Sequence, residues 1–76
     1  MDKIFNLLDL YEIRDYCVVS YTSDSIYQIT FRYKDYYTVF SFYDYEFYRA
    51  GYYYYIEKII SNLSDIVKAF WWVFEN

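Results

Sequence analysis

The sequence predicts an α+β domain: a short N-terminal helix, a three-stranded antiparallel sheet, and one long or two short C-terminal helices packed on one face of it. Apolar residues recur at helical spacing near both ends of the chain and alternate with polar ones in between. The alternating runs are joined by short turn-forming stretches rather than by long linkers. A chain of 76 residues makes a single domain, 1–76, near the lower size at which a core holds without metal or disulfide.

The first helix runs from Asp2 to about Leu10, with Ile4, Phe5, Leu7, Leu8 and Tyr11 on one face and Asp2 as its N-terminal cap. After Arg14-Asp15 the period changes. Tyr16 to Tyr21 is a β-branched and aromatic strand that ends in the turn Thr22-Ser23-Asp24-Ser25. From Ile26, the residues Tyr27, Ile29, Phe31 and Tyr33 share one face, and Gln28, Thr30, Arg32 and Lys34 the other, so one face is core and one is wet. Lys34-Asp35 leads into a third strand, Tyr36 to Tyr43, apolar on both faces, which suits either a central strand or one that carries a binding surface.

Asp44 to Gly51 has no clean period and reads as a loop or short helical turn. Beyond it Ile56, Ile59, Ile60, Leu63, Ile66, Val67, Phe70, Trp71 and Phe74 form a helical stripe opposite Glu57, Lys58, Asp65 and Lys68. Asn62 with Asp65 three residues later resembles a capping pair, so the helix either continues there or restarts. Helices that follow a run of strands imply an antiparallel sheet covered on one side.

Hydrophobic residues are 58% of the chain against the roughly 45–50% usual for globular domains, so folding is expected. Tyrosine occurs 14 times beside 7 phenylalanines and 2 tryptophans. A domain of this size hides only about 60% of its unfolded surface, so many phenols must face solvent or a partner. An AT-rich coding sequence is a competing source of part of this excess.

Catalysis finds little to work with. There is no histidine, the commonest base at neutral pH, and the single Cys17 lies in a strand with nothing to activate it, which fits a structural thiol. No zinc ligand set or glycine-rich phosphate loop can be assembled, so neither metal nor cofactor is expected, and the chain reads as a non-enzyme. Asp44 with Glu46 on an aromatic segment is the one paired-carboxylate motif, and any acidic loop would look the same.

Seven basic residues against eleven acidic ones, net charge −4, oppose direct nucleic-acid binding, for which basic residues would have to cluster. No secretory leader is visible, and charges interrupt every apolar stretch short of the roughly 18–20 residues a bilayer requires. A soluble, intracellular protein is expected. The apolar run Ala69 to Phe74 reads as a final helix packed over the sheet, with Trp72 or Phe74 left for a dimer contact.

Recognition through rings and carboxylates remains. Tyrosine offers large contact area at small entropic cost and is enriched at interface hot spots. The segment Tyr43-Asp44-Tyr45-Glu46-Phe47-Tyr48, continued by Tyr52 to Tyr55, is the candidate surface.

The stretches Asp15-Tyr16-Cys17-Val18, Thr22-Ser23-Asp24-Ser25-Ile26 and Gln28-Ile29-Thr30-Phe31-Arg32, after a similar short first helix, cover about a third of the chain. In them the sequence resembles a family of small acidic phage-encoded anti-CRISPR proteins. The resemblance implies a helix, three strands and C-terminal helices, and acidic residues that imitate nucleic-acid phosphates in the pocket that reads the protospacer-adjacent motif. It implies that role for Asp15 and Asp35; the family's acidic C-terminal segment is replaced here by Ala69 to Phe74.

Together these readings make Asp15, Asp35, Asp44, Tyr45, Glu46, Tyr48, Tyr52 and Tyr53 the candidate partner-binding residues. The expected partner is a CRISPR-Cas effector or another nucleic-acid-binding host protein, met in the cytoplasm of an infected bacterium. An immunity or antitoxin protein covering a nuclease toxin, and a homo-oligomeric adaptor, are the competing classes.

Overall fold

A computed structural model describes the backbone of residues 2–75 and the side chains of residues 3–70. Helix α1, Asp2–Leu10, leads through a 3₁₀ turn at Arg14–Tyr16 into strands β1, Cys17–Tyr21, β2, Ile26–Tyr33, and β3, Tyr36–Tyr43. A second 3₁₀ turn, Asp44–Tyr48, precedes helix α2, Ala50–Glu75. The sheet is antiparallel in the order β1-β2-β3. The α+β class and the element order expected from the sequence are therefore the observed ones. β1 begins one residue later than expected, because Tyr16 closes the 3₁₀ turn.

Period-two alternation in β2 decides which side of the sheet is covered. Tyr27, Ile29 and Phe31 are buried, whereas Gln28 and Arg32 are exposed. Pairing brings Cys17 and Val19 of β1 and Phe40 and Phe42 of β3 onto the same face as Ile29, Phe31 and Tyr27. Ile4, Leu7 and Leu8 of α1 and Ile56, Ile60 and Leu63 of α2 close over it in one core that also takes in Ile13 and Phe47. Each such side chain contributes about 1.5–3 kcal/mol when fully removed from water.

The sequence left β3 as a central strand or one bearing a surface; it is an edge strand, and β2 is central. The possible break at Asn62 is absent, and α2 runs without interruption for 26 residues. Asn62 and Asp65 lie on its exposed side, so the local capping pattern is overridden by an apolar stripe that continues past it from Ile60 to Leu63 and Val67. At 1.5 Å per residue such a helix is about 39 Å long, and it accounts for the longest dimension of the molecule, 43 Å. The expected cap at Asp2 and the contacts expected of Trp71, Trp72 and Phe74 lie outside the described side chains. Phe70, the last one described, meets Tyr33 edge-on at 5.8 Å.

Two features join α1 to the rest. Its C-terminus closes in a Schellman motif: the Ile13 N–H donates to the Leu8 carbonyl at 3.0 Å and the Glu12 N–H to that of Asp9 at 3.1 Å. Leu8 and Ile13, the apolar pair of that motif, are both fully buried. The buried Ser64 of α2 donates its hydroxyl to the Tyr11 carbonyl at 2.9 Å, which satisfies one of the acceptors that a helix end leaves open.

The chain makes its reversals without glycine. Glu12, Ser25 and Lys34 all have positive φ, 61°, 64° and 55°. Ser25 follows a turn closed by its own N–H on the Thr22 carbonyl, the position where three-residue hairpins prefer glycine. The single glycine, Gly51, sits in α2 where φ is negative.

Two expectations follow. Glu12→Gly relieves a left-handed conformation that costs a side-chain-bearing residue about 1 kcal/mol, and should raise the denaturation midpoint in urea. Ser64→Ala orphans a carbonyl at the α1–α2 junction and should lower stability by about 1–3 kcal/mol in the same assay.

Candidate functional site

The corner between β3 and α2 is built around one buried ring. Phe47, in the middle of the second 3₁₀ turn, is 3% exposed and stacks on Phe42 of β3 at 6.1 Å. Tyr48 and Tyr53 stand edge-on against it at 5.7 and 5.1 Å. Those two phenols therefore reach solvent from a fixed base.

The contacts continue inward. Phe42 meets Tyr27 at 5.5 Å, and Tyr27 meets Tyr21 of β1 at 4.8 Å. An aromatic ladder thus crosses the end of the sheet from Tyr21 to Tyr53. Ring pairs of this kind add about 0.5–1.5 kcal/mol each beyond the area they bury.

Glu46 holds the turn in place. Its carboxylate accepts the N–H of Tyr43 at 2.9 Å, the reciprocal half of a capping box, and it lines the same groove as the Tyr52 phenol. Burial, and then the adjacent Glu46 charge, push the Tyr52 phenol above its ordinary value of 10.0. The turn is joined to α2 by the Arg49 N–H on the Glu46 carbonyl at 3.1 Å and the Tyr53 N–H on the Arg49 carbonyl at 2.8 Å.

Around this frame Tyr45 stacks on Tyr43 at 5.4 Å, Tyr55 leans on Tyr52 at 5.7 Å, and the Lys3 ammonium of α1 lies 4.7 Å from the Tyr48 ring. Tyr45, Tyr48, Tyr54 and Tyr55 are each more than half exposed. Two open grooves flank the ridge. One, about 280 Å³, lies between Ile26, Ser41, Tyr43, Glu46 and Tyr52. The other, about 330 Å³, lies between Lys3, Leu7, Leu10, Phe47 and Tyr53.

Six of the eight candidate residues, Asp44, Tyr45, Glu46, Tyr48, Tyr52 and Tyr53, come together at this corner. Asp15 and Asp35 do not. Asp15 is in the 3₁₀ turn before β1 and Asp35 in the β2–β3 hairpin, at the opposite end of the sheet, where Tyr16 and Tyr33 meet at 4.8 Å. The eight residues of β2 separate the two ends by about 25 Å. Spacing along the sequence could not show this, because it does not say at which end of the sheet a turn lies.

Residues from α1 escaped the sequence reading. Leu10 is 71% exposed beside Tyr53, and its position outside the apolar stripe of α1 was the available signal. The uncovered face of the sheet bears Val18, Thr30 and Val39 in its middle and rings only toward its ends, Tyr37 beneath Arg32 at 5.2 Å and Tyr43.

Cys17 lies half-buried on the core side of β1, and burial alone pushes its thiol up to about 11, which keeps it protonated and a poor nucleophile at neutral pH. Among the described residues no three cysteine or carboxylate side chains lie close enough to hold a metal ion, and no helix is long and apolar enough to cross a membrane.

No protein-family model matches the chain, and neither a curated protein nor a solved structure does. The likeness to anti-CRISPR proteins rests on the residues quoted above alone.

The Tyr52–Glu46 contact has a pH signature. The folded state holds the Tyr52 proton more tightly than the unfolded chain, so the contact's stabilisation is complete below 10.0 and is lost as pH rises through the folded value. Urea denaturation across that range should show a smaller alkaline loss of stability in Tyr52→Phe than in the parent protein.

Proposed function

We propose that the protein acts without catalysis, by docking a second protein through the tyrosine corner. The partner is a nucleic-acid-binding protein, a CRISPR-Cas effector or a comparable bacterial defence component, whose basic site the corner covers in the cytoplasm of an infected cell. The observation that carries this reading is the seating of exposed Tyr48 and Tyr53 on buried Phe47. Phenols fixed in this way lose little rotamer freedom on binding, one of the costs that association otherwise has to overcome.

Asp44 and Glu46 give the corner an acidic rim, and the net charge of −4 favours approach to a cationic surface. Asp15 and Asp35 lie too far away to share one compact footprint with it. In this reading they make a separate contact on a large effector or none.

Affinity capture from lysates of CRISPR-bearing bacteria provides the test. Recovery of a nucleic-acid-binding defence protein is expected, and capture of none would sink the proposal. With the recovered partner, Tyr48→Ala and Tyr53→Ala should each weaken binding about tenfold or more in calorimetry, in line with hot-spot losses of about 2 kcal/mol. Far-UV circular dichroism should stay unchanged. Asp44→Lys should slow association and reduce its dependence on salt. A captured nuclease toxin would instead make the protein an immunity factor that uses the same surface.

A further inference from the structure

The outer edge of β3 has no strand beside it among the described residues. Its residues, Tyr36 to Tyr43, include no charge, proline or glycine. Lysines, prolines, bulges and very short length are the usual means by which an edge strand resists pairing with another chain, and β3 has none of them. β1, at the other edge, is only five residues long.

Hydrogen-bonded and non-bonded residue pairs alternate along an antiparallel ladder. The Asp44 N–H donates to the Ser25 carbonyl at 2.8 Å, one step beyond the pair Ile26 and Tyr43. Phe42, Phe40, Thr38 and Tyr36 therefore bond to β2, while Tyr37, Val39, Ser41 and Tyr43 turn their backbone groups outward. Glu46 already occupies the outward N–H of Tyr43. What remains is a run of three residues, Tyr37, Val39 and Ser41, with Val39 at its centre.

Such a run is complementary to itself. We infer that a second copy of the chain pairs antiparallel along β3 about a two-fold axis at Val39, joining two sheets into one of six strands. Val39 faces its own counterpart, and Tyr37 of each copy faces Ser41 of the other, with two backbone hydrogen bonds for each pair. This register keeps the pleats in phase, so both covered faces lie on one side of the joined sheet; a slip of one residue would set the outward groups against residues already bonded to β2.

Charge agrees with the register. The three pairing residues, Tyr37, Val39 and Ser41, are all uncharged, so the paired run brings no like charges together. A second copy presents a run of the same length, bounded in the same way by Glu46 and the hairpin, so it leaves no outward group of Tyr37, Val39 or Ser41 unpaired. A closed dimer also removes an uncharged aromatic edge that would otherwise seed open-ended aggregation.

Light scattering of the purified chain over a range of concentrations tests this without any partner, so the result is independent of the function proposed above. Twice the 9.6 kDa chain mass is expected. Val39→Pro deletes an outward N–H and spares the β2 ladder, because proline is tolerated where an edge N–H faces solvent, and should give a folded monomer. Val39→Lys serves the same purpose if the proline variant fails to fold. A parent chain that stays monomeric at every concentration, or a folded variant that stays dimeric, would overturn the inference.

Discussion

The full burial of Ile29 and Phe31 on the central strand is the constraint on which the remaining structure depends. The molecule is too small for two cores, so one face of a three-stranded sheet must collect all the apolar surface that two helices can supply. That requirement fixes the pairing register, since a slip of one residue would send Ile29 and Phe31 to the wet side. It also brings α1 and α2 side by side, where the Ser64 hydroxyl finds the open carbonyl at the end of α1.

The same core supports the surface. Phe42 and Phe47 belong to the buried cluster and are also the rings on which Tyr48 and Tyr53 stand. Part of the chain's aromatic excess is thereby explained by ordinary packing, and the rest is carried outward in a fixed arrangement. Glu46 works at two places: its bond to Tyr43 holds the turn and closes one end of the free β3 edge, and its charge lies beside the Tyr52 phenol.

Much of the fold was legible in the sequence where one signal dominated. The alternation from Tyr27 to Tyr33 placed β2 and its buried face, and Lys34-Asp35 marked the hairpin that leads to β3. Legibility failed where two signals competed or where the answer was not local. Asn62 and Asp65 look like a helix start, but the stripe from Ile56 through Val67 gains more by continuing than a cap would by interrupting it. β3 carries Tyr37 and Val39 on its uncovered face as well as Phe40 and Phe42 on the covered one, and a central strand would have shown the same pattern. Grouping Asp15 and Asp35 with Asp44 and Glu46 required knowing the ends of the sheet, which only tertiary structure supplies. The left-handed residues Glu12, Ser25 and Lys34 carried no mark at all, since the expected glycines are missing.

The aromatic ladder from Tyr21 to Tyr53 also makes the corner optically visible. Near-ultraviolet circular dichroism arises from aromatic side chains held in fixed surroundings and disappears when tertiary packing loosens. With neighbouring rings 4.8–6.1 Å apart along the ladder, the protein carries its own spectroscopic reporter at the place where a partner would arrive. Docking at the corner could therefore be followed without attaching a dye to it.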